Sequence, residues 1–132
     1  FRADERTWSF MLDQTIQDIA HAERVDDAVI VTVRERLDVF NAAPLMAEFD
    51  RLFHQGVEHF IVDLSAVRAV DGDGDYPLLH LLKSVQSVDG SVILVCPPGN
   101  PIRIFYEMMH LNTLFDIVDS LEEALDRLAL SP

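Results

Sequence analysis

Between an apolar strand pattern and an apolar helix pattern, the chain carries Val70-Asp71-Gly72-Asp73-Gly74-Asp75. Carboxylates and glycines at such a junction suit three kinds of chemistry. A carboxylate pair can attack an electrophile and pass a proton. Clustered carboxylates can hold a hard cation. Fixed negative charge can also be offered to a protein partner. The corner costs the fold something in every case. Each glycine loses conformational entropy on folding while letting the backbone turn tightly. Asp71, Asp73 and Asp75 repel one another, offset in part by the positive end of the helix that follows.

The elements on either side must position this corner. Ahead of it, His21 to Val25 and Ala28 to Val33 flank Asp26-Asp27, which reads as a hairpin. Asn41 is expected to cap a helix that has Pro44 in its first turn, Leu45, Phe49, Leu52 and Phe53 inward, and Gly56 at its end. Phe60 to Leu64 forms a core strand, and Val67 and Val70 carry the apolar thread into the corner. Beyond it, Leu78, Leu81, Leu82 and Val85 define a helix closed near Gly90, followed by a strand over 91–96. Pro97-Pro98-Gly99-Asn100-Pro101 is an emphatic break. A helix over 102–110, a short strand around 115–118 and a last helix opened by Ser120 and Glu123 complete the pattern. Strands alternating with helices imply an α/β fold: a mostly parallel sheet with an N-terminal hairpin and four helices. Sites in such sheets lie beyond the carboxyl ends of strands, where the acidic corner falls. Residues 1–18, with Trp8, Leu12 and Ile16 at helical spacing, read as an extension holding a short helix; residues 19–132 read as the domain.

Composition narrows the partners. Ten Lys and Arg against 23 Asp and Glu give a formal charge of -13, which repels nucleic acid and anionic lipid and favours a protein partner. No apolar run approaches the ~20 residues that span a bilayer. Cys96, the single cysteine, sits in an apolar strand pattern and reads as a small buried hydrophobe. A cytoplasmic setting is expected.

Three motifs in order resemble the STAS domain of bacterial anti-sigma-factor antagonists over roughly residues 19–129. Leu37-Asp38 with Asn41-Ala42 resembles the motif that opens the family's first helix. Val62-Asp63-Leu64-Ser65-Ala66-Val67 followed by Asp71-Gly72-Asp73-Gly74 resembles its central signature. Met109 to Phe115, then Asp119 to Leu125, resembles its C-terminal strand and helix. The resemblance implies a non-enzymatic module of a partner-switching pathway, without a cofactor, whose partner is an anti-sigma factor with serine kinase activity or a related regulator. It leaves a homo-oligomer open. It also implies a docking surface formed by Asp38, Asn41, Asp71, Gly72, Asp73, Gly74 and Asp75, with Asp38 near the point where the kinase's nucleotide and the antagonist meet. The family's phosphorylated serine aligns with Asp73, which has no hydroxyl. A phosphoserine carries about -1.5 to -2 charges; Asp73 with Asp75 nearby reaches a comparable total. The corner is expected either to imitate the phosphorylated state permanently or to be recognised as it stands by an Arg- or Lys-bearing partner. Neutral drift, with the acids as a solvated helix start, is the plain alternative.

Two further readings share the corner. Asp71-Gly72-Asp73-Gly74 matches the nucleophile motif of haloacid-dehalogenase-like phosphatases, in which the first Asp attacks phosphorus beside Mg²⁺. That motif normally follows the first strand, no acidic pair ends a later strand, and Lys83 is the only lysine. A calcium loop needs Gly and Glu at its sixth and twelfth positions, where Tyr76 and Leu82 stand. A STAS domain from the cytoplasmic tail of an anion transporter, or from a stressosome-type scaffold, is the alternative within the family. His21, His54, His59, His80 and His110 read as surface or half-buried groups without metal-ligand spacing. Phe105, Met108 and Met109 read as core, with an adaptable partner surface the alternative. Ser65, Ser84 and Ser87 are hydroxyls that nothing in their surroundings singles out.

Overall fold

The computed structural model describes residues 20–71 and 74–130. The short helix expected within residues 1–18, and Gly72 and Asp73 of the corner, lie outside the described residues. Strand β1 (Ala20–Val25) turns through Asp26-Asp27, with Asp26 at φ 54°, into antiparallel β2 (Ala28–Val33). The remaining elements are β3 (Glu35–Leu37), α1 (Val39–His54), β4 (His59–Asp63), β5 (Val67–Val70), α2 (Tyr76–Gln86), β6 (Ser91–Val95), α3 (Pro101–Met108), β7 (Asp116–Val118) and α4 (Leu121–Leu130). The main sheet runs β1-β2-β4-β6-β7 and is parallel from β2 onward. The expected α/β fold with its hairpin and four helices is what forms.

Successive strand residues face opposite ways, and both faces of the central strands are apolar because both are covered. Val31, Val62 and Leu94 stand side by side in register and belong to one buried cluster, with Leu45 and Phe49 of α1, Leu78 and Leu81 of α2, and Ile102 and Tyr106 of α3. Their neighbours Ile30, Ile61 and Ile93 form a row in the other cluster, which α4 covers with Ala124, Leu121, Leu125 and Leu128.

Three local expectations are corrected. First, Val67 and Val70 do not simply continue β4: they belong to β5, which pairs in parallel with β3 as a separate two-stranded ribbon. Second, Asn41 is not the cap of α1. Asp38 is, its Oδ1 accepting from the backbone N–H of Phe40 at 2.9 Å and of Asn41 at 3.0 Å, which leaves Pro44 inside the helix. A carboxylate serving two of the orphan N–H groups displaces the later candidate. The Asn41 amide instead donates to the Arg36 carbonyl at 2.9 Å. Third, Met108 and Met109 are not core: they are 74% and 57% exposed, while Phe105 packs partly against the core.

Candidate functional site

The ribbon carries the acidic corner rather than the main sheet. β3 runs into Asp38 and α1, and β5 runs into Asp71, so the two parallel strands deliver both carboxylate-bearing residues to one end. Two backbone bonds fix the join: Asp71 N–H donates to the Leu37 carbonyl at 3.1 Å, and Gly74 N–H donates to the Asp71 carbonyl at 2.9 Å. Gly74 does not have a positive φ. Its role is close approach, since a Cβ there would fall 2.0 Å from the Leu37 carbonyl oxygen and 2.9 Å from the Asp38 nitrogen. Turning freedom, the reason expected from sequence, is therefore not what Gly74 supplies.

The other corner residues divide between surface and interior. Asp71 is exposed. Asp38 is nearly buried; its Oδ1 is spent on capping, and its Oδ2 lies 3.6 Å from an Arg36 guanidinium nitrogen. Asn41 is half-buried and engaged with Arg36. Asp75 departs from its expected place on the docking surface. It is 6% exposed, it opens α2 without a side-chain capping bond, and its charge helps to raise the pKa of the buried Tyr106 phenol. The first turn of α2 carries Pro77 and stacks Tyr76 on His80, whose Nε2 lies 3.0 Å from Asp50 Oδ1 on α1.

A shallow cavity of about 170 Å³ opens at this end, lined by Arg36, Leu37, Asp38, Ala69, Val70 and Asp71. Around the corner three large apolar side chains are left in water: Phe40 at 83% exposure, Val39 at 60% and Tyr76 at 55%. Sequence reasoning missed them. A cap at Asn41 leaves Val39 and Phe40 ahead of the helix; the cap at Asp38 draws them into its first turn, where both are exposed.

The arrangement does not suit the phosphatase reading. Asp71 leaves a two-stranded ribbon, not a central strand of the parallel sheet, and the acid two residues beyond Asp73 is buried. The five histidines are exposed or half-buried, as expected for those residues that carry ordinary surface roles. His59 Nδ1 meets Ser91 Oγ at 2.9 Å. Among the described residues, no group of three or more His, Cys, Asp or Glu side chains could hold a metal ion, and no helix is long and apolar enough to cross a membrane. Cys96 is buried as read, and burial pushes its thiol up to about 12.

The comparisons with known proteins agree with this fold. The model of the STAS domain matches residues 20–124. A candidate anti-sigma factor antagonist of Thermotoga neapolitana is 30% identical over 103 residues, covering 77% of this chain and 90% of that protein. The crystal structure of a candidate anti-sigma factor antagonist of Thermotoga maritima superposes with a TM-score of 0.76 at 26% identity, over 83% of this chain and 94% of that one. The unphosphorylated anti-sigma factor antagonist SpoIIAA shares the fold, with a TM-score of 0.68 at 22% identity over 85% of this chain and 99% of its own. The chain belongs to the STAS domain family, and is a regulatory, protein-binding module of the anti-sigma factor antagonist kind and not an enzyme.

Proposed function

We propose that this chain is a cytoplasmic partner-switching regulator that docks an anti-sigma factor of the ATPase kinase type on the face around Asp38 and Asp71. In the sequence, Asp73 stands where the family's antagonists carry a phosphorylatable serine, and brings a fixed negative charge to that position. The observation that carries the reading is Phe40, a phenylalanine 83% exposed two residues after the buried cap Asp38. With Val39 and Tyr76 it sets apolar surface beside carboxylates, the mixture of anchor and polar rim that protein interfaces use. The cavity lined by Asp38 and Asp71, about 170 Å³, is below the ~300–1,000 Å³ of small-molecule sites, which favours a protein surface over a ligand pocket. Asp75 lies inside and takes no part. Asn41 supports the face through the Arg36 carbonyl and need not touch the partner.

Titration calorimetry against the histidine-kinase-like anti-sigma factor encoded nearest the gene tests this directly. Phe40→Ala is expected to weaken binding at least tenfold, a loss of about 1.4 kcal/mol, with the melting temperature unchanged. Asp73→Ser is expected to accept phosphate from that kinase and ATP, and to shift its affinity for the kinase. Equal affinities for the wild type and Asp73→Ser would remove position 73 from the switch. Equal affinities for the wild type and Phe40→Ala would move the docking face elsewhere.

A further inference from the structure

The opposite end of the β3–β5 ribbon has the opposite charge. A second concavity of about 580 Å³ is lined by Arg34, Glu35, Arg36, Ala66, Arg68 and Ala69. The described residues include eight Lys and Arg, and three of them line this one cleft in a chain of charge -13. Elsewhere Arg51 is engaged by Glu48, Arg103 by Asp119 and Arg127 by Asp116, and Arg24 stands alone on β1 with no second arginine beside it in the strand. In the cleft, Arg36 faces Asp38, but neither the Arg34 nor the Arg68 guanidinium has a hydrogen-bond or ion-pair partner among the described residues.

The local backbone is arranged around this exposure. Leu37 and Val67 point into the core, so strict alternation would send Glu35 inward with Leu37. Instead Glu35 adopts φ 60° at an irregularity between Glu35 and Arg36, and is exposed. A non-glycine residue held in the left-handed region is strained, and such strain gathers at binding sites. Across from it, Ala69 of β5 and Ala66 just ahead of that strand leave the floor bare between the arginine arms.

We propose that this cleft binds a small phosphate-bearing organic molecule, its phosphate held between Arg34 and Arg68 and its body lying on Ala66 and Ala69. Guanidinium groups fork phosphate oxygens in pairs of parallel hydrogen bonds. A dianionic phosphate matches the two guanidinium groups of Arg34 and Arg68, while Arg36 is set against Asp38; a single carboxylate leaves a surplus. The volume lies within the ~300–1,000 Å³ of small-molecule sites, room for an organic body as well as the head group. The cleft adjoins the docking face, sharing Arg36 and Ala69 with its cavity, but Arg34 and Arg68 line the cleft alone and neither reading needs the other.

Inorganic pyrophosphate, titrated into the intact chain at constant ionic strength, is the probe for the head group. The Nε–H resonances of Arg34 and Arg68 are expected to move saturably. The double variant Arg34→Gln/Arg68→Gln should bind at least tenfold more weakly while melting at the same temperature without the probe. The control double variant Arg24→Gln/Lys83→Gln removes the same charge from other exposed positions and should bind like the wild type. Three results would overturn the site: no saturable shift in the wild type, shifts that bypass Arg34 and Arg68, or equal weakening in the two double variants, which means diffuse attraction only.

Discussion

Asp38 does two jobs with its two oxygens, and a pair of substitutions separates them. Oδ1 caps α1, while Oδ2 faces Arg36 and the corner cavity. Asp38→Ala should lose about 1 kcal/mol of stability, the usual worth of such a cap. Asp38→Asn keeps a capping oxygen and should stay within about 0.5 kcal/mol of the wild type, yet weaken docking as much as Ala does. Urea denaturation and calorimetry on the same two variants check this; equal stability losses would mean that the charge and not the cap holds α1. Gly74 is a sharper case. A Cβ would meet only backbone, at 2.0 Å from the Leu37 oxygen and 2.4 Å from its carbon, so neither side can yield cheaply. Gly74→Ala should cost about 3 kcal/mol by overpacking, read as a drop in the urea midpoint; a loss below about 0.5 kcal/mol would show that the corner is not clamped to β3. The residue types of this corner were legible in the sequence, but its division into a buried Asp75 and an exposed Asp71 was not. Both are aspartates in a run of glycines, and only the packing of α2 decides which carboxylate is drawn inside.

The elements explain what could be read and what could not. β2, β4 and β6 are five or six residues long with an unbroken apolar centre, and announce themselves. β3 and β5 have three and four residues, too few for any periodicity to emerge. Their pairing is a tertiary fact, and it sets Asp38 and Asp71 at one end of the ribbon and Arg34 and Arg68 toward the other. The break at Pro97 to Pro101 was legible as a break, but not as a cap. Asn100 is 7% exposed; its Oδ1 accepts from Ile102 N–H at 2.9 Å and its Nδ2 donates to the Leu64 carbonyl at 2.8 Å. One side chain thus ties the end of β4 to the start of α3. Asn100→Ala loses the cap, about 1 kcal/mol, and takes one of two donors from the Leu64 carbonyl, which keeps the Val67 N–H at 3.0 Å, at about 0.5–1.5 kcal/mol more. Ser120 caps α4 in the open, accepting from Glu123 N–H at 3.1 Å, so Ser120→Ala should cost only the first of these. Denaturation midpoints that fall equally for the two would deny Asn100 its second role.

At the scale of the whole molecule, the interior sets a limit on alkaline stability. The sheet is sealed on both faces, and two ionisable groups are sealed with it. Burial pushes the Cys96 thiol from an ordinary 9.0 up to about 12, and raises the Tyr106 phenol above its ordinary 10.0, with Asp75 adding to the shift. Among the described residues the Tyr106 hydroxyl has no hydrogen-bond partner, and its ring stacks on Phe115 with centroids 5.4 Å apart. Well below pH 9 both groups are protonated whether the chain is folded or not, and the stability is complete. Between pH 9 and 12 the unfolded chain releases the thiol proton while the folded chain keeps it. The unfolded state then binds fewer protons, so stability falls as pH rises, by about 1.4 kcal/mol per pH unit for one such group. Tyr106 adds a loss of the same sign above pH 10. Cys96→Ala opens a small cavity, which lowers stability by the same amount at every pH. It should also flatten the slope above pH 9, because its unfolded form has no thiol proton to lose. Urea midpoints taken at half-unit steps from pH 7 to 11 separate the two effects. An unchanged slope in Cys96→Ala would mean that water reaches the thiol, and with it the region where β6 meets α3.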